Sequence, residues 1–271
     1  MRHRKGWSRV ISPDLRISRI RSLATGRVAR RHTLKPGQLV ELELNRQFDI
    51  PVHSSGYLPI PQISARSIAA RLGVQAGVGQ HSLAEIYGSG KTPKRILLTH
   101  FGTVPLRLSQ GNRIGRFYFQ QLATPLKQSE IKGMMKRGEL RLGKDCKIHP
   151  SGIVEIKTHK VVYEVPDELV GKIARKNWLS GSGRDKLMGM LRKVEKPVKT
   201  SARHIVLTET LPVKLPENVA MFFQGTTDGT SFHISSHLID PGFKGPIVME
   251  LQGLVQGKKP DNVLALLGKI E

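Results

Sequence analysis

Cysteine is almost absent from this 271-residue sequence, where Cys146 stands alone. One cysteine forms no intramolecular disulfide and cannot build a multi-cysteine zinc cage. Aromatic residues are scarce too, at 5%, which leaves few platforms on which the bases of a single strand could stack. No run of 18 apolar residues occurs, so no segment reads as a transmembrane helix and no membrane partner is expected. Acidic residues are outnumbered, 21 against 44 Lys and Arg, for a formal charge of +23. Glycine and proline, 27 and 16, stay below the roughly 25–30% combined share that marks low complexity. The chain therefore reads as a folded protein rather than a basic tail, long enough for one large or two ordinary domains.

The positive charge is uneven. Residues 1–35 hold eleven Lys and Arg and one acid, Asp14. Residues 127–200 hold eighteen against nine, whereas 201–271 hold six against seven. Such a field attracts nucleic acid, acidic lipid or a free nucleoside triphosphate alike, so charge alone does not choose a partner. No helix-turn-helix, zinc-finger or RNA-binding sheet signature is present, and nucleic-acid binding would rest on the basic arm. The arm, Met1 to about His32, has the composition of a mitochondrial transit peptide. Pro13 and Asp14-Leu15-Arg16-Ile17-Ser18 read instead as an early strand preceded by a solvated basic extension. No apolar segment follows the basic start, so no secretory signal is expected, and the expected location is cytoplasmic.

Period-2 patterning dominates. Strands are expected over Leu39–Leu44, Ile96–Leu108, Ile114–Gln120, 205–215 and Ile247–Val255. Ile153–Ile156 and Val161–Val165 read as a strand pair separated by Lys157–Lys160. Helical stretches are few: residues 63–74 ending at Gly73, one or two turns over Pro166–Ile173, and a basic amphipathic helix over Arg184–Glu195. A weak internal duplication links Leu15-Arg16-Ile17-Ser18 to Leu140-Arg141-Leu142-Gly143, and Phe48-Asp49-Ile50-Pro51 to Val213-Lys214-Leu215-Pro216. Many short strands and a two-fold repeat predict two tandem all-β domains with a boundary near 122–138.

Three motifs carry possible chemistry. Gly88-Ser89-Gly90-Lys91-Thr92 has the end of a phosphate-binding loop, but Glu85 stands where that motif needs glycine, and a polar hairpin loop is expected. His233 and His237 have metal-like spacing without the glutamate of a zinc-protease helix, and structural or substrate-contacting roles are expected. The third is Ser236-His237-Leu238-Ile239-Asp240-Pro241-Gly242-Phe243-Lys244-Gly245-Pro246-Ile247-Val248-Met249-Glu250-Leu251, a Pro-Gly turn feeding a strand. Glu250 lies mid-strand among apolar neighbours. A carboxyl group in such company costs free energy unless paired or protonated, and burial raises its pKa, which suits a general base or acid. A glutamate on the solvent side of its strand is the alternative.

The stretch Ile239–Gly245 with Glu250 after it resembles the signature of the dCTP deaminase and dUTPase superfamily, and its Val-Met-Glu-Leu end resembles the deaminase branch. Leu34-Lys35-Pro36-Gly37-Gln38-Leu39-Val40 with Ile50-Pro51 is similar to the strand entering that fold. Ala65-Arg66-Ser67-Ile68-Ala69-Ala70-Arg71-Leu72-Gly73 resembles the family's Ser/Arg motif, and Leu140–Gly143 its N-terminal piece. The resemblance implies two tandem dUTPase-like distorted β-barrels, 1–126 with the basic arm and 138–271, in a homo-oligomer with sites shared between neighbouring barrels. It implies zinc-independent hydrolysis of dCTP to dUTP in pyrimidine deoxynucleotide metabolism. Glu250 would activate water, Ser67 would hydrogen-bond that water or the leaving ammonia, and Asp240 would contact the deoxyribose. Arg66 and Arg71 would hold the triphosphate. Ser236, His237, Gly242 and Phe243 would complete the nucleotide-binding surface. In branches that cleave dUTP, the residue matching Asp240 positions water, with magnesium accompanying the phosphates.

The two motifs lie in different halves of the chain. In the first half Thr99 stands roughly where the glutamate is expected, and in the second Gln224–Gly229 replaces the Ser/Arg loop without an arginine. The expected site is therefore composite, with 65–71 of one barrel facing 236–250 of another. Leu238 replaces a family arginine, no asparagine follows Glu250 at the usual distance, and the chain stops soon after Leu267. These departures keep two alternatives open: a dUTP pyrophosphatase or bifunctional enzyme, and a degenerate barrel that binds nucleic acid.

Overall fold

A computed structural model describes residues 9–144, 146–164, 166–180, 184–194, 205–226, 232–234, 237–253 and 262–270. The chain folds as two compact units, Met1–Leu122 with Val165–Arg192, and Ala123–Glu164 with Lys193–Glu271. No described helix is long and apolar enough to cross a membrane.

The first unit runs β1 (Leu15–Ser22), β2 (Val28–Ala29), β3 (Arg31–Leu34), β4 (Leu39–Leu44), β5 (Gln62–Ala65), α1 (Ser67–Arg71), β6 (Val74–Gly77), α2 (Gln80–Ser89), β7 (Arg95–His100), β8 (Leu106–Ser109) and β9 (Arg113–Tyr118). Its main sheet has the order β5-β9-β1-β4-β7-β6, and β3 pairs with β8 in a separate ribbon. The two ends of that order, β5 and β6, lie against each other, so the sheet curls into a near-barrel. Alternation explains the strands. Val40, Leu42 and Leu44 are buried in β4 while Glu41 and Glu43 face Arg21 and Lys94. In β1 the buried set shifts from Leu15 and Ile17 to Ile20, because the register breaks between Ile17 and Arg19. A bulge inserts one residue and so exchanges the faces of the strand.

The second unit contains β10 (Thr124–Pro125), α3 (Gln128–Lys136), β11 (Lys147–Ile148), β12 (Ile153–Glu164), β13 (Arg192–Val194), β14 (Ile205–Thr210), β15 (Val213–Lys214), β16 (Val219–Thr226), β17 (Phe232–Ile234), β18 (Leu238–Ile239), β19 (Lys244–Gly245), β20 (Val248–Gly253) and β21 (Asn262–Lys269). Its sheet follows β17-β20-β14-β12-β21-β16-β18. Here β16 and β17 are in contact, closing the curl as β5 and β6 do in the first unit. Its core gathers Leu126, Ile131, Val154, Ile156, Met221, Phe223, Met249 and Leu267. Between β12 and β13 the chain contributes α4 (Asp167–Arg175) and α5 (Arg184–Met190) to the first unit.

The expected all-β class with a few short helices holds, and several local expectations change. Residues 153–164 form one long strand rather than a pair. The polar Lys157–Lys160 stretch sits where the register against β14 shifts, between Thr158 and Val162. The 63–74 helix shrinks to α1, because Ile63–Ala65 pairs with Arg116, Phe117 and Gly115 of β9. Residues 88–92 are no hairpin: Gly88 and Ser89 end α2, and Gly90, at φ 66°, is its left-handed cap. The helix expected over 184–195 ends at Met190, and 192–194 is strand. The strand expected over 205–215 breaks at Leu211-Pro212, between β14 and β15.

The duplication is real, but its first half is not the one expected. Reading the second sheet as β16-β21-β12-β14-β20-β17 reproduces the first sheet strand for strand. The counterpart of β1 is thus β12, not Leu140–Gly143. Of that segment only Arg141 pairs, in an isolated bridge to Lys214.

Candidate active site

The carboxylate half lies in the second unit. Glu250 is the third residue of β20, opposite Leu207 of β14. Met249 points into the core, so alternation sends Glu250 to the other face of the sheet, where it is only 1% exposed. A strand buried on both faces here carries a carboxyl group where an apolar side chain is the cheaper choice.

The turn before this strand is set by sequence. The Phe243 N–H donates to the Asp240 carbonyl at 3.3 Å, across Pro241 and Gly242. Gly242 has φ 73°. Proline second and a positive-φ glycine third make a type II turn. Gly242 N–H donates to Pro216 O and Leu215 N–H to Phe243 O, both at 2.9 Å. These bonds continue the β15–β19 pairing and fix the backbone of Asp240, whose side chain is half-buried. Phe243 packs on the core rather than standing free as a stacking surface. The His237 carbonyl accepts from Phe223 N–H at 2.9 Å. Ser236 lies outside the described residues.

The arginine half lies in the first unit. Arg66 caps α1 in extended conformation, and its N–H donates to Ile114 O at 2.9 Å. Ser67 is the first helical residue and Arg71 the last, with Arg71 buried at 4% exposure. Burial lowers the Arg66 pKa, Asp14 opposes that shift, and Arg113, Arg116 and Arg16 reinforce it. Sequence reasoning missed these four neighbours. Strand pairing assembles them: Arg16 lies opposite Arg113, and Ser64, two residues before Arg66, lies opposite Arg116. Asp14 bridges Arg113 at 3.4 Å and Arg116 at 3.3 Å. Gly115 sits opposite both Leu15 and Ala65, and a Cβ there would come within 2.4 Å of Ser64 O. The Arg-Ile-Gly-Arg run of β9 was the available signal. Four guanidinium groups around one carboxylate leave positive charge to spare, and arginine's fork suits phosphate oxygens.

The shared strand order also fixes which residues are equivalent. Glu43 pairs with Arg95 in the first sheet, and Glu209, at the same place in its strand, pairs with Val248 in the second. Ile96 then matches Met249, and Leu97 matches Glu250. Thr99 matches Gln252 and is not the glutamate's counterpart. The segment matching Arg66–Arg71 follows β16. Gln224–Thr226 end that strand, and the rest of the expected Gln224–Gly229 loop lies outside the described residues.

The crystal structure of 2'-deoxycytidine 5'-triphosphate deaminase from Agrobacterium tumefaciens matches this chain with a TM-score of 0.67. The match covers 96% of this chain and 88% of that one, at 13% identity. The fold is dCTP deaminase/dUTPase-like. No protein-family model matches the sequence, and a comparison with curated proteins finds no match. Among the described residues no group of three or more His, Cys, Asp or Glu side chains is placed to hold a metal ion.

Proposed function

We propose that the chain hydrolytically deaminates dCTP to dUTP and ammonia, without zinc, with Glu250 as general base. The observation that carries this reading is Glu250 itself, a carboxyl group 1% exposed at a position filled by Leu97 in the sister sheet. A buried carboxylate is costly to keep where an aliphatic side chain fits, and such groups mark sites of proton transfer. The fold, shared with a dCTP deaminase, supports the same reading.

In the proposed step Glu250 takes a proton from water as the oxygen adds to C4 of the cytosine. The proton passes to N3 as C4 becomes tetrahedral, the new hydroxyl's proton passes through the same carboxylate to the C4 amino group, and the C–N bond breaks, so that ammonia leaves as the C4 carbonyl forms. Ser67 hydrogen-bonds the water or the ammonia, and Asp240 holds the deoxyribose. Arg66 and Arg71, reinforced by Arg16, Arg113 and Arg116, take the triphosphate with its accompanying magnesium. Both halves act on one nucleotide by association of copies in a homo-oligomer.

Incubation with dCTP, following cytosine absorbance and ammonia release, tests the reading. Equimolar ammonia and dUTP are expected. Pyrophosphate release from dUTP without ammonia from dCTP would move the chemistry to the phosphates. Sharing between copies predicts that mixing Glu250→Gln with Arg66→Ala chains, each inactive alone, restores turnover.

A further inference from the structure

A second basic feature of the first unit lies on the β3–β8 ribbon, on none of the residues assigned above to the nucleotide. Arg31 lies opposite Ser109 and Thr33 opposite Arg107. Directly opposed residues of an antiparallel pair share a face, so Arg31 and Arg107 project from the same side, and both are exposed. The other side carries Leu34, Leu106 and Leu108, all buried. Next to it in sequence, Arg30 also lines the groove, and its carbonyl accepts from Gln110 N–H at 2.8 Å.

These residues line an open groove of about 920 Å³ that also takes in His32, Gln110 and Asn177. Among the described residues neither a carboxylate nor a Phe, Tyr or Trp side chain lines it. The floor is furnished with polar groups. Asn177 Nδ2 donates to Ser109 Oγ at 3.3 Å.

We propose that this groove binds the sugar-phosphate backbone of a nucleic-acid strand without reading its sequence. The lining selects among anions. Acidic lipid held by charge alone gains only about 1 kcal/mol per arginine, and the one aliphatic side chain among the described lining residues that could add to it by entering the bilayer surface, Leu108, is 1% exposed. A small-molecule site of this volume, near the top of the roughly 300–1,000 Å³ range, is mostly apolar or aromatic. A free nucleotide needs something to grip its base, and no Phe, Tyr or Trp lies among the described lining residues. What remains is repeated phosphate, met by three arginines and by neutral hydrogen-bonding groups. Affinity from such contacts comes mainly from counter-ion release and is sequence-independent.

The test measures fluorescence anisotropy of a labelled 20-nucleotide DNA strand against the full chain from 50 to 300 mM salt. The wild type should bind with an affinity that falls steeply with salt and is alike for unrelated sequences. Joint replacement of Arg30, Arg31 and Arg107 by alanine removes three phosphate contacts. It should flatten the log–log salt slope by about 2 and weaken binding at least tenfold at 50 mM salt, at ~0.7 of slope per contact. The three replaced by lysine should retain most of the slope. Joint alanine replacement of Lys132, Lys136 and Lys147, exposed in the second unit, removes the same charge and should change binding less than twofold. Equal losses from both triple-alanine variants would reduce the binding to bulk charge and overturn the proposal. Absence of binding at 50 mM salt would overturn it as well. Displacement of the strand by dCTP or polyglutamate as readily as by unlabelled DNA, at equal charge, would assign the groove to another anion.

Discussion

Glu250 and Leu97 hold the same register position in two sheets that share a six-strand order. Their neighbours match as well: Met249 and Ile96 are each 1% exposed. The duplicated fold thus accepts an aliphatic residue at this place, and only one copy carries a carboxyl group. Packing alone does not require a glutamate in β20.

That asymmetry separates chemistry from folding. Glu250→Gln keeps the shape and removes the base. It should lower kcat by about 10²–10⁴-fold, the usual share of general acid–base catalysis. Leu97→Gln, at the matching place in the first unit, should leave turnover within about twofold. Steady-state kinetics on the two variants decides, and comparable kcat values for both would remove Glu250 from the mechanism.

The turn holding Asp240 makes a separate prediction about stability. Gly242 has φ 73°, and a Cβ there would lie 2.9 Å from the Glu217 carboxyl carbon. An L-residue in this conformation costs about 1–2 kcal/mol. Gly242→Ala should therefore lower stability by about that amount in urea unfolding. Adding Glu217→Ala should recover the contact and leave the backbone strain. Full recovery in the double variant would show that the clash, not the conformation, sets the cost.

Local chemistry was partly legible where it depends on neighbours in sequence: the Asp-Pro-Gly-Phe turn and the β4 alternation announce themselves in fewer than ten residues, whereas the helix read over 63–74 keeps only Ser67–Arg71 and the loop read over 88–92 is the end of α2. What depended on register was not legible. The bulge in β1 moves its buried face by one residue. The counterpart of Glu250 falls on Leu97 rather than Thr99 only once the β4–β7 ladder is known. Asp14, Arg16, Arg113 and Arg116 are up to 102 positions apart, and only the β1–β9 and β5–β9 pairings assemble them around Arg66. Residues 165–192 join the first unit by packing between elements remote in sequence, which no local pattern records.

His100 makes the fold sensitive to acid. It is 0% exposed, and burial holds its pKa below the ordinary 6.5, outweighing backbone bonds to Val104 and Gly73 that act the other way. With the proton on Nε2, the ring donates to Val104 O at 2.6 Å, while Nδ1 accepts from Gly102 N–H at 3.3 Å. A second proton breaks the latter bond and places charge in the core. The unfolded chain binds that proton more readily, so stability is intact above about pH 6.5 and falls as pH drops through the lowered native value. Urea unfolding at pH 7.5 and 5.5 should show the loss. A His100→Gln variant, less stable at both, should lack this part of the decline. An unchanged decline in the variant would assign it to another group.

The arginine cluster can be probed without any enzyme assay, through the carboxylate it surrounds. Asp14 is 20% exposed and its partners Arg113 and Arg116 are 43% and 26% exposed, so each ion pair is worth only about 0.2–1 kcal/mol. Asp14→Asn removes both pairs and leaves Arg16, Arg66, Arg113 and Arg116 repelling one another. In buffer free of multivalent anions the variant should melt a few degrees below wild type. An anion bound only by the folded state restores stability by mass action, by about 2.7 kcal/mol at one hundred times its Kd. Tripolyphosphate should therefore raise the Tm of the variant more than that of wild type, because the guanidinium groups no longer share their charge with Asp14. An equal rise in both, or none, would show that these arginines do not form a phosphate site.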